Sequence, residues 1–459
     1  MTNPTDQGTH LSVREKIGYG LGDTASNFVF YTINTYLFFY YTDVIGLAAG
    51  AVGTLFLVAR LFDTVTDPLM GTIADRTKTR WGKYRPYLAA LAIPFGIVGF
   101  LLFAVPDAAP GTQLIYAYVT YVATMLIYTA INIPYSALLG VITPNSAERT
   151  SVSTYRFACA FGGQFLIGAL ALPLVTHFGA GDRAVGYKAT MTIFAVVAVL
   201  LFWTTFATTR ERVQPPKDQK SDLKKELSLL IKNRPWVIMF IAGIFTLTNV
   251  AVRGAVTLHF FKYYVGDDGS PWLWKFDLSS VFLTSGTVSL ILGVVATGWI
   301  SRFWGKRQLM IGLSAINAVV MALYFFIPAD AIIVMFIMNV LGALIIGPTI
   351  PIVWSMFADV ADYGQWKFGH RSTALVFSAA QFAQKLGLAI GGAIAGWMLS
   401  SFGFEANTAQ TSESLLGIRL MFTLVPAAFA IGSVVAIWFY PLTEKIVAEM
   451  ESDLSKLAD

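Results

Sequence analysis

Residues 86–105 read PYLAALAIPFGIVGFLLFAV, twenty positions without a charged side chain. Wound as an α-helix at 1.5 Å per residue, such a run covers about 30 Å, the thickness of the hydrocarbon core of a bilayer. Met191–Ala207, Leu309–Ile327 and Phe422–Phe439 repeat the pattern. The whole chain agrees: 56% of its 459 residues are apolar and 13% are charged, a balance that suits lipid rather than soluble domains. The sequence predicts an all-α membrane protein.

Working outward from these runs, spans are expected near 17–42, 48–74, 86–105, 113–141, 153–176, 185–208, 236–264, 276–300, 307–328, 331–357, 372–399 and 417–440. Arg76, Lys78, Arg80, Lys83 and Arg85 follow the second span, and Arg302, Lys306 and Arg307 follow the eighth. Loops 106–112 and 400–416 hold no Lys or Arg, so the basic loops, and with them both termini, are expected in the cytoplasm. The polar stretch Thr209–Pro235 reads as a cytoplasmic linker. It divides the chain into an N-terminal six-helix half (1–208), the linker (209–235), a C-terminal six-helix half (236–441) and a cytoplasmic tail (442–459). Trp81-Gly82-Lys83 after the second span recurs as Trp304-Gly305-Lys306 after the eighth, as two related halves would require.

The net charge of +5 forms no continuous basic face, so no nucleic-acid partner is expected. The lone Cys159 excludes a disulfide framework. His10, His177, His259 and His370 show no metal-type spacing, and with no nucleophile–base pair or phosphate loop in view an enzyme is not expected. The N-terminus lacks a cleavable leader pattern, so the first span is expected to direct insertion.

An ionisable group at the centre of a span costs about 2.5–3.5 kcal/mol on insertion scales, so each one needs a partner, water or a task. Asp63 and Asp67 lie one helical turn apart in the second span, with Arg60 a turn before them. Two such carboxylates bind a small cation or share a proton, unless Arg60 and a lysine from another helix merely neutralise them. Lys385, with Gln381 a turn earlier, is too deep in its span to snorkel; it faces a cavity or completes an ion pair. Arg156 is closer to the cytoplasmic end of its span, where it either snorkels to water or faces the cavity. Arg253 recognises an anionic substrate or pairs with an acidic neighbour. Asp23, Asn27, Tyr31 and Asn34 form a polar stripe on the first span, and Tyr128, Thr129, Asn132 and Tyr135 one on the fourth. Such stripes line a sugar-binding cavity or glue helices together.

In their local settings several segments resemble the glycoside-pentoside-hexuronide:cation symporters, a branch of the major facilitator superfamily that includes the melibiose permease. They are Tyr19-Gly20-Leu21-Gly22-Asp23, Tyr40-Tyr41-Thr42-Asp43, Leu57-Val58-Ala59-Arg60-Leu61-Phe62-Asp63 with Asp67-Pro68, Arg80-Trp81-Gly82-Lys83, Asn132-Ile133-Pro134-Tyr135 and Ala358-Asp359-Val360-Ala361-Asp362-Tyr363-Gly364. The resemblance covers nearly the whole chain. It implies a major facilitator fold of 12 transmembrane helices, two six-helix halves around a central cavity, in the cytoplasmic (inner) membrane. It also implies a secondary active symporter working by alternating access, with Na⁺ or H⁺ as coupling ion and no cofactor, and a monomer is expected.

By the same resemblance Asp63, Asp67 and Thr129 form the cation site, where Na⁺ is one candidate ligand, and Thr66 stands where the melibiose permease has an asparagine. Arg156 and Lys385 fall at the sugar and charge-network site. Asp359 and Asp362, with Arg149 and Arg371, fall at a cytoplasmic ion-pair lock. The two acidic residues that grip a galactoside align with Asn27 and Asn132, and the stacking tryptophan aligns with Ser136. A hexuronide, pentoside or related glycoside is therefore expected rather than a galactoside, bound by Asp23, Asn27, Tyr31, Asn34, Asn132, Tyr135, Arg156, Arg253, Gln381 and Lys385. The competing readings are a carrier of a sulfonated sugar or lysolipid-like amphiphile, and an uncoupled uniporter.

Overall fold

The computed structural model describes residues 11–213, 223–369 and 373–458. These form helices α1 (Val13–Thr32), α2 (Ala49–Arg76), α3 (Arg85–Leu101), α4 (Pro110–Ile142), α5 (Ser146–Gly179), α6 (Arg183–Thr208), α7 (Leu223–Lys232) and α8 (Arg234–His259). They continue with α9 (Leu278–Ile300), α10 (Lys306–Leu323), α11 (Ile332–Ile346), α12 (Thr349–Phe368), α13 (Thr373–Ser401), α14 (Ser412–Phe422), α15 (Leu424–Trp438) and α16 (Glu444–Ala458). Among the described residues the only β pairing is two isolated bridges, Thr79 with Gly82 and Leu273 with Phe276. Helices suit the bilayer because each satisfies its own backbone hydrogen bonds, which lipid cannot do.

Nine segments among the described residues are long and apolar enough to cross a membrane, from Pro110–Ile142 to Ser412–Trp438. The spans expected first, second and third are not among them. Arg85–Leu101 is a shorter apolar helix, as is Ala49–Phe62 within α2, beyond which the side chains of residues 63–65 lie outside the described residues.

Local signals start several helices. Ser12 accepts from the Glu15 amide at 3.2 Å, Asp182 from Ala184 and Val185 at 2.8 and 3.2 Å, and Asn233 from Trp236 at 3.2 Å. Each side-chain oxygen satisfies a backbone donor that the first turn leaves open. Two further helices were not foreseen. Inside the expected linker, α7 buries Leu230 against Trp236 and Val360, and in the expected tail α16 buries Val447 and Met450 in the same cluster. Apolar residues three to four apart give each one sticky face, and the rest of each helix is polar.

The chain divides into two compact units, Met1–Asp218 with Gly269–Thr284, and Gln219–Asp268 with Ser285–Asp459. Within the first, α1 packs on α5 and α6, and α3 on α4 and α6. Within the second, α8 packs on α13 and α15, and α10 on α11 and α15. The two pairing schemes correspond helix for helix. Each unit's leading span also ends in wider π-helical turns, Ile33–Leu37 with Tyr40–Val44 in one and Phe260–Val265 in the other.

The Trp-Gly-Lys echo sits at equivalent joints. Glu211, past the end of α6, accepts from the amides of Lys83, Tyr84 and Arg85 at 2.8, 2.8 and 3.0 Å. Glu444, past the end of α15, accepts from the Lys306 amide at 2.7 Å. In return Arg85 donates to the Phe206 carbonyl at 2.7 Å and Arg307 to the Trp438 carbonyl at 2.5 Å. Each joint thus closes the start of one helix with a carboxylate and the end of its neighbour with a guanidinium, as the helix dipole favours. Glycine is required at the first joint: Gly82 has φ +109°, and a β-carbon there would lie 2.4 Å from the Glu211 carboxyl carbon. A related clamp holds the start of α1, where Arg212 donates to both Glu15 oxygens at 2.7 and 2.8 Å. These hydrogen bonds hold the Arg212 guanidinium above its ordinary pKa.

Replacing Glu211 by alanine leaves three amides without their acceptor and is expected to cost about 1–2 kcal/mol of stability. Gly82→Ala acts on the same joint, so the double variant's loss should fall short of the sum in thermal unfolding of the purified protein.

Candidate functional site

The candidate site of the first unit grows from the glycines of Tyr19-Gly20-Leu21-Gly22-Asp23. A β-carbon on Gly20 would meet Cys159 Sγ at 2.7 Å, and one on Gly22 would meet the Tyr135 ring at 2.5 Å. Small residues at these points let α1 approach α5 on one side and α4 on the other. That approach brings Asp23 Oδ2 within 2.8 Å of Arg156 Nε, an ion pair between helices 133 residues apart in sequence. The two side chains are 15% and 25% exposed, so each charge has shed most of its surroundings and depends on the other.

Tyr135 supports this pair. The Arg156 guanidinium lies 5.3 Å from the centre of the Tyr135 ring, which stacks on Tyr19 at 4.8 Å. Tyr135 donates its hydroxyl to the Tyr19 carbonyl at 2.8 Å, and Tyr19 returns the bond to the Tyr135 carbonyl at 3.2 Å. The sequence suggested Tyr135 as part of a sugar-facing stripe, but its side chain is fully buried and its hydroxyl is spent on backbone. Its ring underlies the Arg156 guanidinium.

The rest of the stripe is held in order. Asn27 donates to the Asp23 carbonyl at 2.8 Å and accepts from Gln164 at 3.2 Å. Asn132 accepts from Ser26 at 3.0 Å, while its Nδ2 is buried without a hydrogen-bond partner among the described residues. Asn34 accepts from Arg60 Nη2 at 2.6 Å, and the Arg60 guanidinium lies 5.4 Å from the centre of the Phe30 ring. Phe30 stacks on Tyr128 at 4.8 Å. Tyr31 is half-buried on α1.

Arg60 leads to the candidate cation residues, because Asp63, Thr66 and Asp67 follow it on α2. Thr129 of α4, only 3% exposed, donates to Asp67 Oδ1 at 2.9 Å. The half-buried Thr66 lies next to Asp67 in the chain. The backbone of Asp63 lies one turn before Asp67, and its side chain lies outside the described residues. A carboxylate and a hydroxyl this close supply the hard oxygen ligands that Na⁺ accepts, and the same carboxylate can take a proton.

The other candidates belong to the second unit. Gln381 is exposed on α13 and Lys385, a turn further on, is half-buried. The Tyr324 and Phe422 rings flank Arg253 at 5.0 and 4.6 Å, and no carboxylate pairs with it among the described residues. Aromatic faces stabilise a buried guanidinium through their quadrupoles. Of the lock residues, Asp359 takes both its bonds from Lys306 Nζ, at 2.9 and 2.7 Å, within the second unit. Arg149 and Asp362 are half-buried on α5 and α12, and Arg371 lies outside the described residues.

Gln164, Ser26 and Lys306 did not stand out in the sequence. Gln164 carried a readable signal, an uncharged polar residue in an apolar run two turns beyond Arg156. Lys306 was visible only as a basic loop residue and as part of the Trp-Gly-Lys echo.

Comparison with known proteins settles the family. A family model described as MFS/sugar transport protein matches residues 18–444. The chain belongs to this major facilitator sugar-transport family. Three relatives of the transporter span nearly its whole length. YagG of Escherichia coli K12, named provisionally as a glycoside/cation symporter, is 39% identical over 98% of this chain and 96% of its own. The inner membrane symporter YicJ of the same organism is 38% identical, over 94% and 93%. The isoprimeverose transporter of Lactiplantibacillus pentosus is 38% identical, over 96% and 91%. A bacterial homolog of the human lysosomal transporter Spinster matches in fold with TM-score 0.70 at 13% identity, covering 95% of this transporter and 97% of that chain. The resemblance drawn from the motifs therefore holds. The protein is a multi-pass membrane transporter of major facilitator fold and not an enzyme.

Breaking the Asp23–Arg156 pair by Asp23→Asn or Arg156→Gln strands one charge. Each single change is expected to destabilise by up to about 3 kcal/mol, with the double variant recovering part of the loss. A double-mutant cycle on thermal unfolding, run beside a glycoside-binding assay, measures both the pairing and its bearing on the site.

Proposed function

We propose that this transporter is a cation-coupled glycoside symporter that takes up a pentoside, hexuronide or related glycoside by alternating access. The observation that carries the reading is the Asp67–Thr129 contact at 2.9 Å inside apolar helices, with Asp63 one turn before it. A carboxylate is costly at that depth unless it takes part in binding or transport. Asp63, Asp67, Thr66 and Thr129 are proposed to hold the coupling ion, Na⁺ or H⁺.

Asp23, Asn27, Asn34, Asn132 and Arg156 are proposed to hold sugar hydroxyls, with Tyr31 beside them and Tyr135 acting through Arg156. Replacement of gripping carboxylates by Asn27 and Asn132 leaves Arg156 less surrounded by negative charge, which supports a neutral pentoside or a carboxylated sugar over a galactoside. Gln381 and Lys385 are proposed to meet substrate during the cycle. The names of YagG and of the isoprimeverose transporter support the glycoside class. The inner membrane, supported by YicJ's name, the cytoplasmic termini, supported by the basic loops, and a monomer complete the proposal.

Arg60 lies between the two sets: it bonds Asn34 of the sugar stripe and stands on the helix of Asp63 and Asp67. Binding at either set is then felt at the other, and such coupling is reciprocal.

Asp67→Asn keeps the shape of the side chain and removes its charge. Vesicles carrying it should lose gradient-driven accumulation of a xyloside by at least about 100-fold, equivalent to ~2.7 kcal/mol of lost coupling, while equilibrium counterflow persists. Unchanged accumulation would assign Asp67 a structural role.

A further inference from the structure

On the outer wall of the first unit, the packed helices α3 and α6 form a groove of about 320 Å³ lined by Ile93, Ile97, Phe100, Val196, Leu200 and neighbouring residues. It offers almost nothing to a polar ligand. The Thr192 hydroxyl in its lining is spent on the Lys188 carbonyl, and the Trp203 indole N–H on the Ala89 carbonyl at 3.2 Å. Ile97 and Leu200 are 52% and 54% exposed on a face that lies within the span, where the surrounding solvent is acyl chain.

One end of this groove is charged. Eight residues before Ile93, about 12 Å along the helix, α3 begins at Arg85, preceded by Lys78, Arg80 and Lys83. Arg80 is exposed and stacks its guanidinium 4.8 Å from the centre of the Trp81 ring, which meets Phe206 of α6 edge-on. A nearby carboxylate, Glu211, is turned onto the Lys83, Tyr84 and Arg85 amides, while Lys78 and Arg80 are exposed. Among the lining residues is Trp203, an aromatic of the kind that favours the level of lipid headgroups.

We infer that the α3–α6 groove is a binding site for an anionic glycerophospholipid, its acyl chain along Ile97 and Leu200 and its phosphate at Arg80 and Lys83. Charge complementarity selects the headgroup: each cation near a membrane surface favours an anionic lipid about fivefold, or ~1 kcal/mol at 1.4 kcal/mol per decade. The acyl chain follows from the groove's depth, since a chain starting at the headgroup level of Arg85 reaches Ile93 and Ile97, about 12 and 18 Å along the helix, within half of a bilayer of about 40–45 Å. The lipid would brace α3 against α6, the pair also joined by Arg85 and Phe206.

The test uses the full chain purified in detergent containing equimolar phosphatidylglycerol and phosphatidylcholine of one chain length, with retained lipid counted by native mass spectrometry. Wild type should retain phosphatidylglycerol in preference. Arg80→Gln should cut that preference about fivefold and Arg80→Gln with Lys83→Gln about 25-fold, leaving phosphatidylcholine unchanged. Ile97→Trp should displace both lipids by filling the groove. Arg80 is exposed and the Ile97 side chain points to lipid, so the folded state is checked by an unchanged melting curve in lipid-free detergent. Equal retention of the two lipids by wild type, or a preference that survives both arginine and lysine replacement, would overturn the anionic site; retention unaffected by Ile97→Trp would overturn the groove.

Discussion

A charge inside a membrane span must be answered by another group, and in the first unit Arg156 answers Asp23 at 2.8 Å. Much around it follows from that need. Glycines at 20 and 22 let three helices approach closely enough for the pair to form, and Tyr135 and Tyr19 exchange hydroxyl bonds with each other's backbone while Tyr135 underlies the guanidinium. Asn27 extends the order outward, bonded to Asp23 on one side and Gln164 on the other. The residues that make the helix interfaces possible and the residues proposed to meet substrate therefore belong to one connected set.

A second constraint acts at the helix ends. In both units a carboxylate from beyond the last span of that unit caps the helix that follows the Trp-Gly-Lys turn, and an arginine next to that turn caps the last span in return. Joints so built fix pairs of helices without using the apolar faces, which lipid would not drive together. Lys306 adds a function of its own by placing its ammonium on Asp359, which ties one joint to the acidic segment of α12.

The membrane architecture was legible because length and absence of charge are local properties. Residues 86–105 announce a span without any knowledge of neighbours, and the Trp-Gly-Lys echo announced the repeat that the helix pairings display. The candidate polar residues were legible for the same reason, since Asp23, Asp67 and Arg156 are conspicuous among apolar neighbours. Their partners were not. Whether Arg156 snorkels or pairs is decided by a residue 133 positions away, and whether Tyr135 faces sugar or backbone is decided by Gly22 on another helix. Arg253 shows the same limit: its two aromatic neighbours come from Tyr324 and Phe422, far along the chain, and nothing around Arg253 itself announces them. The helices α7 and α16 were missed because their polar faces dominated a reading tuned to lipid, although their buried leucine, valine and methionine faces follow a helical period.

The central claim is that the oxygen ligands at Asp67 and Thr129 and the polar stripe at Asp23 and Arg156 are energetically linked in one transporter. Isothermal titration of the purified protein with a xyloside, with and without saturating Na⁺ or at two proton concentrations, and the reverse titration of ion with and without the glycoside, tests it most directly. The account predicts that one ion raises sugar affinity and that the sugar raises affinity for that ion by the same factor, within the 5- to 150-fold range of about 1–3 kcal/mol typical of coupled sites. Sugar binding indifferent to both ions would contradict it.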